Sequence, residues 1–216
     1  MLSFVRRNLD PAARLGEILF GLVMALGFTG SVRLGLEEAD NRELFVAILG
    51  CNLAWAIVDG VMYVLGELFE RGRLSKLARE LHRRPDDEAL ALVAGELDER
   101  LPIVQHAPGR ESFERWLLDV IRRSEPVHGG ILREDLAGGA AVSIVILMAT
   151  FPLLVPFLVV ADPNLAVRAS NAIALTLLFV LGARWGQFIG GNPIRIGSSL
   201  TAVGVVLVLI TIALGG

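Results

Sequence analysis

One carboxylate, Asp59, stands inside an apolar stretch of the sequence, where a charge is costly. Residues 55–58 before it and Val61 and Met62 after it are apolar. A charged side chain at the centre of a bilayer costs about 2.5–3.5 kcal/mol, so an intramembrane carboxylate is a candidate proton or cation site. The alternative is a structural role, in which Asp59 hydrogen-bonds to a neighbouring helix or to Asn52, seven residues earlier on the same helix face.

Two further carboxylates and two thioethers extend this candidate site. Glu17 stands at the entrance of the first apolar stretch, and Glu67 near the end of the second. If these stretches form antiparallel helices, both carboxylates lie at similar depth, and such oxygen ligands suit a hard divalent cation. Met24 and Met62 would add affinity for softer ions. The alternatives are a helix N-terminal acid for Glu17 and packing roles for both methionines. The predicted transport path comprises Asp59, Glu17, Glu67, Asn52, Met24 and Met62.

A separate group of carboxylates lies in the charged middle of the chain. It consists of two Glu-x-x-Glu pairs, Glu96 with Glu99 and Glu111 with Glu114. Each pair shares one helix face, and four converging carboxylates would bind a divalent metal ion. Arginines are interleaved with them, so ordinary ion pairs are the alternative. These arginines are Arg100, Arg110 and Arg115.

The elements that must position these residues are apolar helices. The chain is 54% hydrophobic with a mean hydropathy of +0.61, and about twenty apolar residues cross the roughly 30 Å of a bilayer core. Five stretches qualify, and they are residues 16–32, 44–68, 136–160, 165–189 and 194–214. The sequence therefore predicts an all-α integral membrane protein with five transmembrane helices.

The charged segment between the second and third spans is predicted to be a helical domain. Span two continues towards His82, and Pro85 followed by three acidic residues starts a new helix. Another helix is expected over residues 111–124, after a loop at 105–109. The domains are then residues 1–68 with spans one and two, 69–135 as the helical domain, and 136–216 with spans three to five.

The arginines of the short loops predict the orientation. Arg6, Arg7 and Arg14 precede span one, and Arg184 and Arg195 flank the turn between spans four and five. Because arginine-rich short loops stay in the cytoplasm, we expect a cytoplasmic N-terminus, an external C-terminus and a cytoplasmic helical domain. The expected location is the bacterial inner membrane.

Several classes of protein are disfavoured by the sequence. The net charge of −3 gives no general attraction to nucleic acid. The single cysteine, Cys51, excludes an intrachain disulfide. Because there is no phosphate loop, nucleophile elbow or zinc motif, we expect neither an enzyme nor an organic cofactor.

Residues 135–216 resemble a known family. They include Met-Ala-Thr-Phe-Pro-Leu-Leu-Val-Pro-Phe at 148–157, Leu-Phe-Val-Leu-Gly at 178–182, Asn192-Pro193, Gly204 and Gly215. This resembles the last three spans of the vacuolar iron transporter family. The resemblance implies proton-coupled export of a divalent metal such as iron, manganese or cobalt. It also implies five spans, a cytoplasmic N-terminus, a homodimer and a cytoplasmic domain that collects metal through glutamates.

The first half of the chain departs from that family in two places. Gly66-Glu67 matches an element of the family's second span, but Tyr63 stands where the family has methionine. The family's first span carries Asp-Gly, and this chain has Met24-Ala25 there. The missing carboxylate favours the alternative function, a non-transporting scaffold or regulatory subunit whose cytoplasmic helices bind a protein partner.

Span three and span four carry residues that affect helix packing. Pro152 and Pro156 each remove a backbone hydrogen bond and are expected to kink span three. Gly182, Gly186 and Gly190 recur every four residues, and small residues allow close helix contact. They predict either a dimer interface or a contact between helices of one chain.

Overall fold

The computed structural model describes residues 2–35, 40–124 and 130–213, and the only regular structure in these ranges is helical. The helices are α1 (Leu2–Asn8), α2 (Pro11–Gly35), α3 (Asn41–Arg83), α4 (Asp86–Arg100), α5 (Arg110–Arg123), α6 (Arg133–Val159), α7 (Pro163–Phe188) and α8 (Pro193–Ala213), with a 3₁₀ turn at Pro102–Val104. The chain divides into two compact units. The first unit is Met1–Val64 with Arg133–Gly216, and the second unit is Leu65–Leu132.

Four described helices are long and apolar enough to cross a membrane, namely α3, α6, α7 and α8. They cover the predicted spans two to five, except that residues 160 and 189 lie one position beyond α6 and α7, and they confirm that these stretches are helical. The predicted first span, residues 16–32, lies within α2, whose membrane crossing stays a prediction. Residue 214, the predicted end of span five, lies outside the described residues.

Large apolar side chains are exposed along these helices, as expected of surfaces that contact lipid. Ile57 on α3 is 57% exposed, Phe151 on α6 is 64% exposed and Leu209 on α8 is 58% exposed. In water each of these side chains would expose apolar surface, which costs a free energy of roughly 25 cal/mol per Å². A bilayer removes this cost.

The core of the first unit joins helices from both ends of the chain. Leu22 and Leu26 of α2 are fully buried against Ile48 of α3, Leu153 of α6 and Leu178 of α7. Helix α2 contacts α6, α7 and α8, and α7 contacts both α6 and α8. Segments far apart in the sequence therefore build one core.

The N-terminal tail contains a helix that we did not predict from the sequence. α1 spans only Leu2–Asn8, and Val5 and Leu9 are buried in a cluster with Val142 and Ile146 of α6. A helix of this length is marginal by itself. Contact with α6, rather than intrinsic propensity, accounts for its presence.

The starts of α7 and α8 follow from their sequences. The Asp162 side chain accepts a hydrogen bond from the Leu165 backbone N–H at 2.8 Å, and Asn192 Oδ1 accepts one from the Ile194 N–H at 3.0 Å. A proline follows each of these residues at the first helical position. Both pairs are typical helix starts.

The glycines of α7 resolve the two packing alternatives. A Cβ added at Gly182 would lie 2.8 Å from Gly197 Cα, and one at Gly186 would lie 2.9 Å from Pro193 Cα. The intramolecular contact, between α7 and α8, is therefore confirmed for these two glycines. Gly190 lies beyond the end of α7 with φ of 70°, a left-handed conformation suited to glycine.

Both prolines of α6 lie inside a helix that continues through them. Ser170 Oγ on α7 donates a hydrogen bond to the Leu153 carbonyl at 2.9 Å, between the two prolines. A hydroxyl from a neighbouring helix is one of the groups that satisfy backbone carbonyls near intramembrane prolines. Whether α6 is kinked stays a prediction.

The second unit contains the C-terminal part of α3 together with α4 and α5. The predicted helix after Pro85 and the predicted helix over 111–124 correspond to α4 and α5. Leu81, Val93, Leu97 and Leu118 are buried together in the core of this unit. The two amphipathic helices therefore bury their apolar stripes against each other and against α3.

Candidate cation site in the first unit

Helices α2 and α3 bring two carboxylates together. The rings of Phe20 and Trp55 meet edge to face, with centroids 5.7 Å apart. Glu17 lies one turn before Phe20, and Asp59 lies one turn after Trp55, so the facing sides of two antiparallel helices carry both pairs. The charges of Glu17 and Asp59 are close enough to interact. The sequence placed Asp59 in the middle of span two and Glu17 at the entrance of span one, at a depth similar to that of Glu67, and did not pair Glu17 with Asp59.

One oxygen of Asp59 has no hydrogen-bond partner. Asp59 Oδ2 is buried, and within the described residues nothing donates a hydrogen bond to it. Leaving a buried acceptor unsatisfied costs about 1–3 kcal/mol, and more for a charged group. Such an atom requires an explanation, and a bound ion or an ordered water is an ordinary one.

The backbone beside Asp59 is fixed by contact with α6. A Cβ added at Gly60 would lie 2.6 Å from Ser143 Oγ and 2.8 Å from the Gly139 carbonyl oxygen. Ser143 Oγ also donates a hydrogen bond to the Ala56 carbonyl at 2.7 Å. Because only glycine fits at this crossing, α3 and α6 approach backbone to backbone, and the position of Asp59 is determined by that contact.

Asn52 hydrogen-bonds to residues other than Asp59. Its Oδ1 accepts from Thr150 Oγ1 of α6 at 3.1 Å, and its Nδ2 donates to the Ile48 carbonyl at 3.0 Å. Both Asn52 and Thr150 are buried. Asn52 thus joins α3 to α6, while its predicted place in a transport path stays a prediction. Thr150 was missed because one threonine in an apolar helix gives no sign of its partner.

The remaining predicted path residues are not part of this pair. Met62 is 59% exposed on α3, so it faces outward from the helices of the first unit. Met24 is half-buried on α2, seven residues after Glu17. Glu67 belongs to the second unit and is exposed. Of the predicted path, the structure brings Glu17 and Asp59 together.

In the second unit, arginines hold two of the glutamates. Glu96 Oε1 accepts hydrogen bonds from Arg73 Nη2 at 2.6 Å and from Arg100 Nε at 2.7 Å. Glu70 accepts from both of these arginines as well. Hydrogen bonds from Arg73 and Arg100 lower the pKa of Glu70 to about 2, and those from Arg73 contribute most to lowering the pKa of Glu96. Glu70 and Arg73 were not among the predicted site residues.

The second Glu-x-x-Glu pair is also associated with arginines. Arg110 Nε donates to Glu114 Oε1 at 2.6 Å, and its Nη1 donates to Asp98 Oδ1 at 2.7 Å. The Glu111 side chain is 88% exposed and lies 3.9 Å from Arg115. Ordinary ion pairs thus account for Glu96 and Glu114, which is the alternative that the interleaved arginines indicated.

The described part of the chain shows no cluster of metal ligands. Across residues 2–35, 40–124 and 130–213, no three His, Cys, Asp or Glu side chains form a group that could hold a metal ion. Glu99 is exposed on α4. Metal binding by Glu96, Glu99, Glu111 and Glu114 stays a prediction from the sequence.

No family model and no curated protein matches this chain.

Proposed function

We propose that this chain is a membrane transporter that exports divalent metal ions in exchange for protons, similar to the vacuolar iron transporters. The observation that carries the proposal is the unpartnered oxygen of Asp59 beside Glu17. Two carboxylates on facing sides of membrane helices repel each other, and a bound cation or proton relieves that repulsion. The resemblance of residues 135–216 supports the choice of iron, manganese or cobalt as substrate.

The charge of the pair explains why metal and protons would exchange. Glu17 and Asp59 together carry two negative charges when ionised. One divalent cation or two protons neutralise them equally, so the two ligands compete for the same oxygens. With either the metal ion or the two protons bound, the site is neutral. A neutral site inside the membrane has a lower electrostatic cost than a charged one. In this proposal, release of metal to one side is linked to proton uptake from that side.

The remaining parts of the proposal follow the sequence. The N-terminus lies in the cytoplasm of a bacterial inner membrane, and the functional form is a homodimer. Glu67, Met24 and Met62 are further candidate ligands of the transported ion, one carboxylate and two thioethers. Asn52 positions α3 through its hydrogen bond to Thr150.

Reconstituted protein tests the proposal. Liposomes containing the purified chain should take up Fe²⁺, Mn²⁺ or Co²⁺ when a proton gradient is imposed, and Asp59→Asn and Glu17→Gln should abolish this flux. Glu43→Gln is the matched control, because Glu43 is an exposed carboxylate at the start of α3. Wild-type flux equal to that of empty liposomes for all three ions would reject the proposal.

A second candidate function is a non-transporting scaffold or regulatory subunit, favoured by the surface of α5. Phe113, Trp116 and Val120 form an exposed apolar stripe on this helix, and exposed apolar patches commonly mark protein contacts. This function would be supported by a stoichiometric partner that co-purifies with the wild type and is lost from Trp116→Ala, together with no metal flux.

A further inference from the structure

The first unit contains a cavity of about 760 Å³ between α1, α2, α6 and α7. Its wall is mostly apolar and includes Leu22, Met148, Leu177 and Val180. This volume lies within the roughly 300–1,000 Å³ of ordinary ligand sites. None of the carboxylates of the Glu17–Asp59 pair lines it, so it is a separate site.

Every charged residue that lines the cavity is an arginine. These are Arg6 on α1, Arg14 on α2 and Arg184 on α7. None forms an ion pair with an Asp or Glu of the described ranges, although Arg184 Nη1 lies 3.5 Å from Gln187 Oε1. The chain as a whole has a net charge of −3, so three arginines without carboxylates are a local excess of positive charge.

The arginines and the apolar wall occupy different levels of the helices. Arg14 lies in the first turn of α2, which starts at Pro11, and Arg184 lies four residues before Phe188, the end of α7. Leu22 and Leu177 lie about two turns further into the same two helices. The cavity therefore has a cationic mouth at the helix ends and an apolar interior at greater depth.

We propose that this cavity binds an anionic phospholipid of the surrounding membrane. Guanidinium groups match phosphate oxygens with paired hydrogen bonds, and basic pockets between transmembrane helices recognise anionic headgroups. The acyl chains lie along the apolar wall and leave it beside Met148 and Val180, which are 38% and 50% exposed. The negatively charged headgroup would thus lie at the arginines, and the apolar acyl chains would lie against the apolar residues of the cavity.

Lipid retention by purified full-length protein tests this inference independently of metal transport. Protein in neutral detergent is mixed with phosphatidylglycerol or phosphatidylcholine, and bound lipid is counted by native mass spectrometry. We expect retention of phosphatidylglycerol over phosphatidylcholine. Arg14→Gln and Arg184→Gln should each weaken phosphatidylglycerol binding about ten-fold, the effect of losing one charged hydrogen bond.

The controls separate a specific site from general attraction. Arg7→Gln removes the same charge from an exposed residue of α1 that does not line the cavity, and it should leave retention unchanged. Val180→Trp narrows the apolar part at an exposed position and should weaken binding without affecting the arginines. Helical content and elution volume show whether each variant folds.

Four results would overturn the inference. Equal binding of both lipids would show that the arginines do not select the headgroup. Equal loss in Arg7→Gln would reduce the preference to surface charge. Glycerol phosphate binding as tightly as the whole lipid would show that the apolar wall contributes nothing. A dimer that retains no lipid and dissociates in Arg14→Gln would assign the cavity to a second copy of the chain.

Discussion

The carboxylate of Glu17 on α2 and that of Asp59 on α3 lie close enough for their charges to repel. The contact between Phe20 and Trp55, one turn away on each helix, holds the two helix faces together. Folding therefore keeps two like charges on the facing sides of α2 and α3. Clustered like charges are a common property of functional sites, where function is maintained at the expense of stability.

Replacing Glu17 should raise stability while it removes transport. In Glu17→Gln the repulsion of Asp59 is lost, so the metal-free protein should gain about 1 kcal/mol. Thermal unfolding in detergent with a metal chelator measures this change. Glu43→Gln, which alters an exposed carboxylate of α3, should show no gain. A lower unfolding temperature for Glu17→Gln would mean that Glu17 stabilises the fold.

The glycine beside Asp59 should tolerate no larger side chain. In Gly60→Ala the new methyl group would overlap Ser143 Oγ and the Gly139 carbonyl, which should cost about 1–3 kcal/mol. Gly50→Ala on the same helix meets no atom within 4 Å and should be neutral or stabilising by up to about 1 kcal/mol. Unfolding measurements on both variants test this contrast. Equal behaviour of the two variants would show that α3 and α6 are not in backbone contact.

The hydrogen bond between Asn52 and Thr150 should contribute measurably to packing of α3 on α6. Thr150→Val removes the donor while it keeps the shape, and should destabilise by about 0.6 kcal/mol, the average for hydrogen bonds between transmembrane helices. Thr176→Val is the control, because Thr176 is exposed and bonds only to Ala172 of its own helix. No difference between the two variants would remove the proposed role of Asn52 in positioning α3.

The ion pairs of the second unit should make stability depend on acid pH. The pKa of Glu70 falls from 4.5 to about 2 on folding. A depressed pKa contributes stability that is complete above 4.5 and is lost as pH falls from 4.5 towards 2. Thermal unfolding of the full chain across this range, followed by circular dichroism, should show a smaller pH dependence in Glu70→Gln than in the wild type.

The control for this pH dependence is Glu111→Gln. Glu111 is 88% exposed and only 3.9 Å from its nearest arginine, so its replacement should leave the wild-type pH dependence unchanged. The same pH dependence in Glu70→Gln as in the wild type would contradict the assigned role of Arg73 and Arg100.

The helices could be predicted from sequence because their signals are local. Apolar stretches long enough for a membrane gave the positions of α3, α6, α7 and α8, and Pro85 with its acidic neighbours gave the start of α4. The short helix α1 was missed, because its stability comes from burial of Val5 and Leu9 on a helix more than a hundred residues away.

The partners of the site residues could not be predicted from the same signals. Pairing of Glu17 with Asp59 depends on how α2 and α3 are rotated about their axes, and hydropathy contains no information on that angle. The same holds for Thr150, which faces Asn52 across an interhelical contact. For the charged glutamates both alternatives followed from the sequence, and Glu96 and Glu114 do form ion pairs with the interleaved Arg100 and Arg110.

The glycine contacts between α7 and α8 constrain how the first unit can change conformation. Gly182 and Gly186 lie against backbone atoms of α8, so a change of side-chain rotamers alone cannot let one helix slide along the other. The pair must move as a single rigid body. In a cycle of alternating access, the hinge would therefore lie outside the α7–α8 pair.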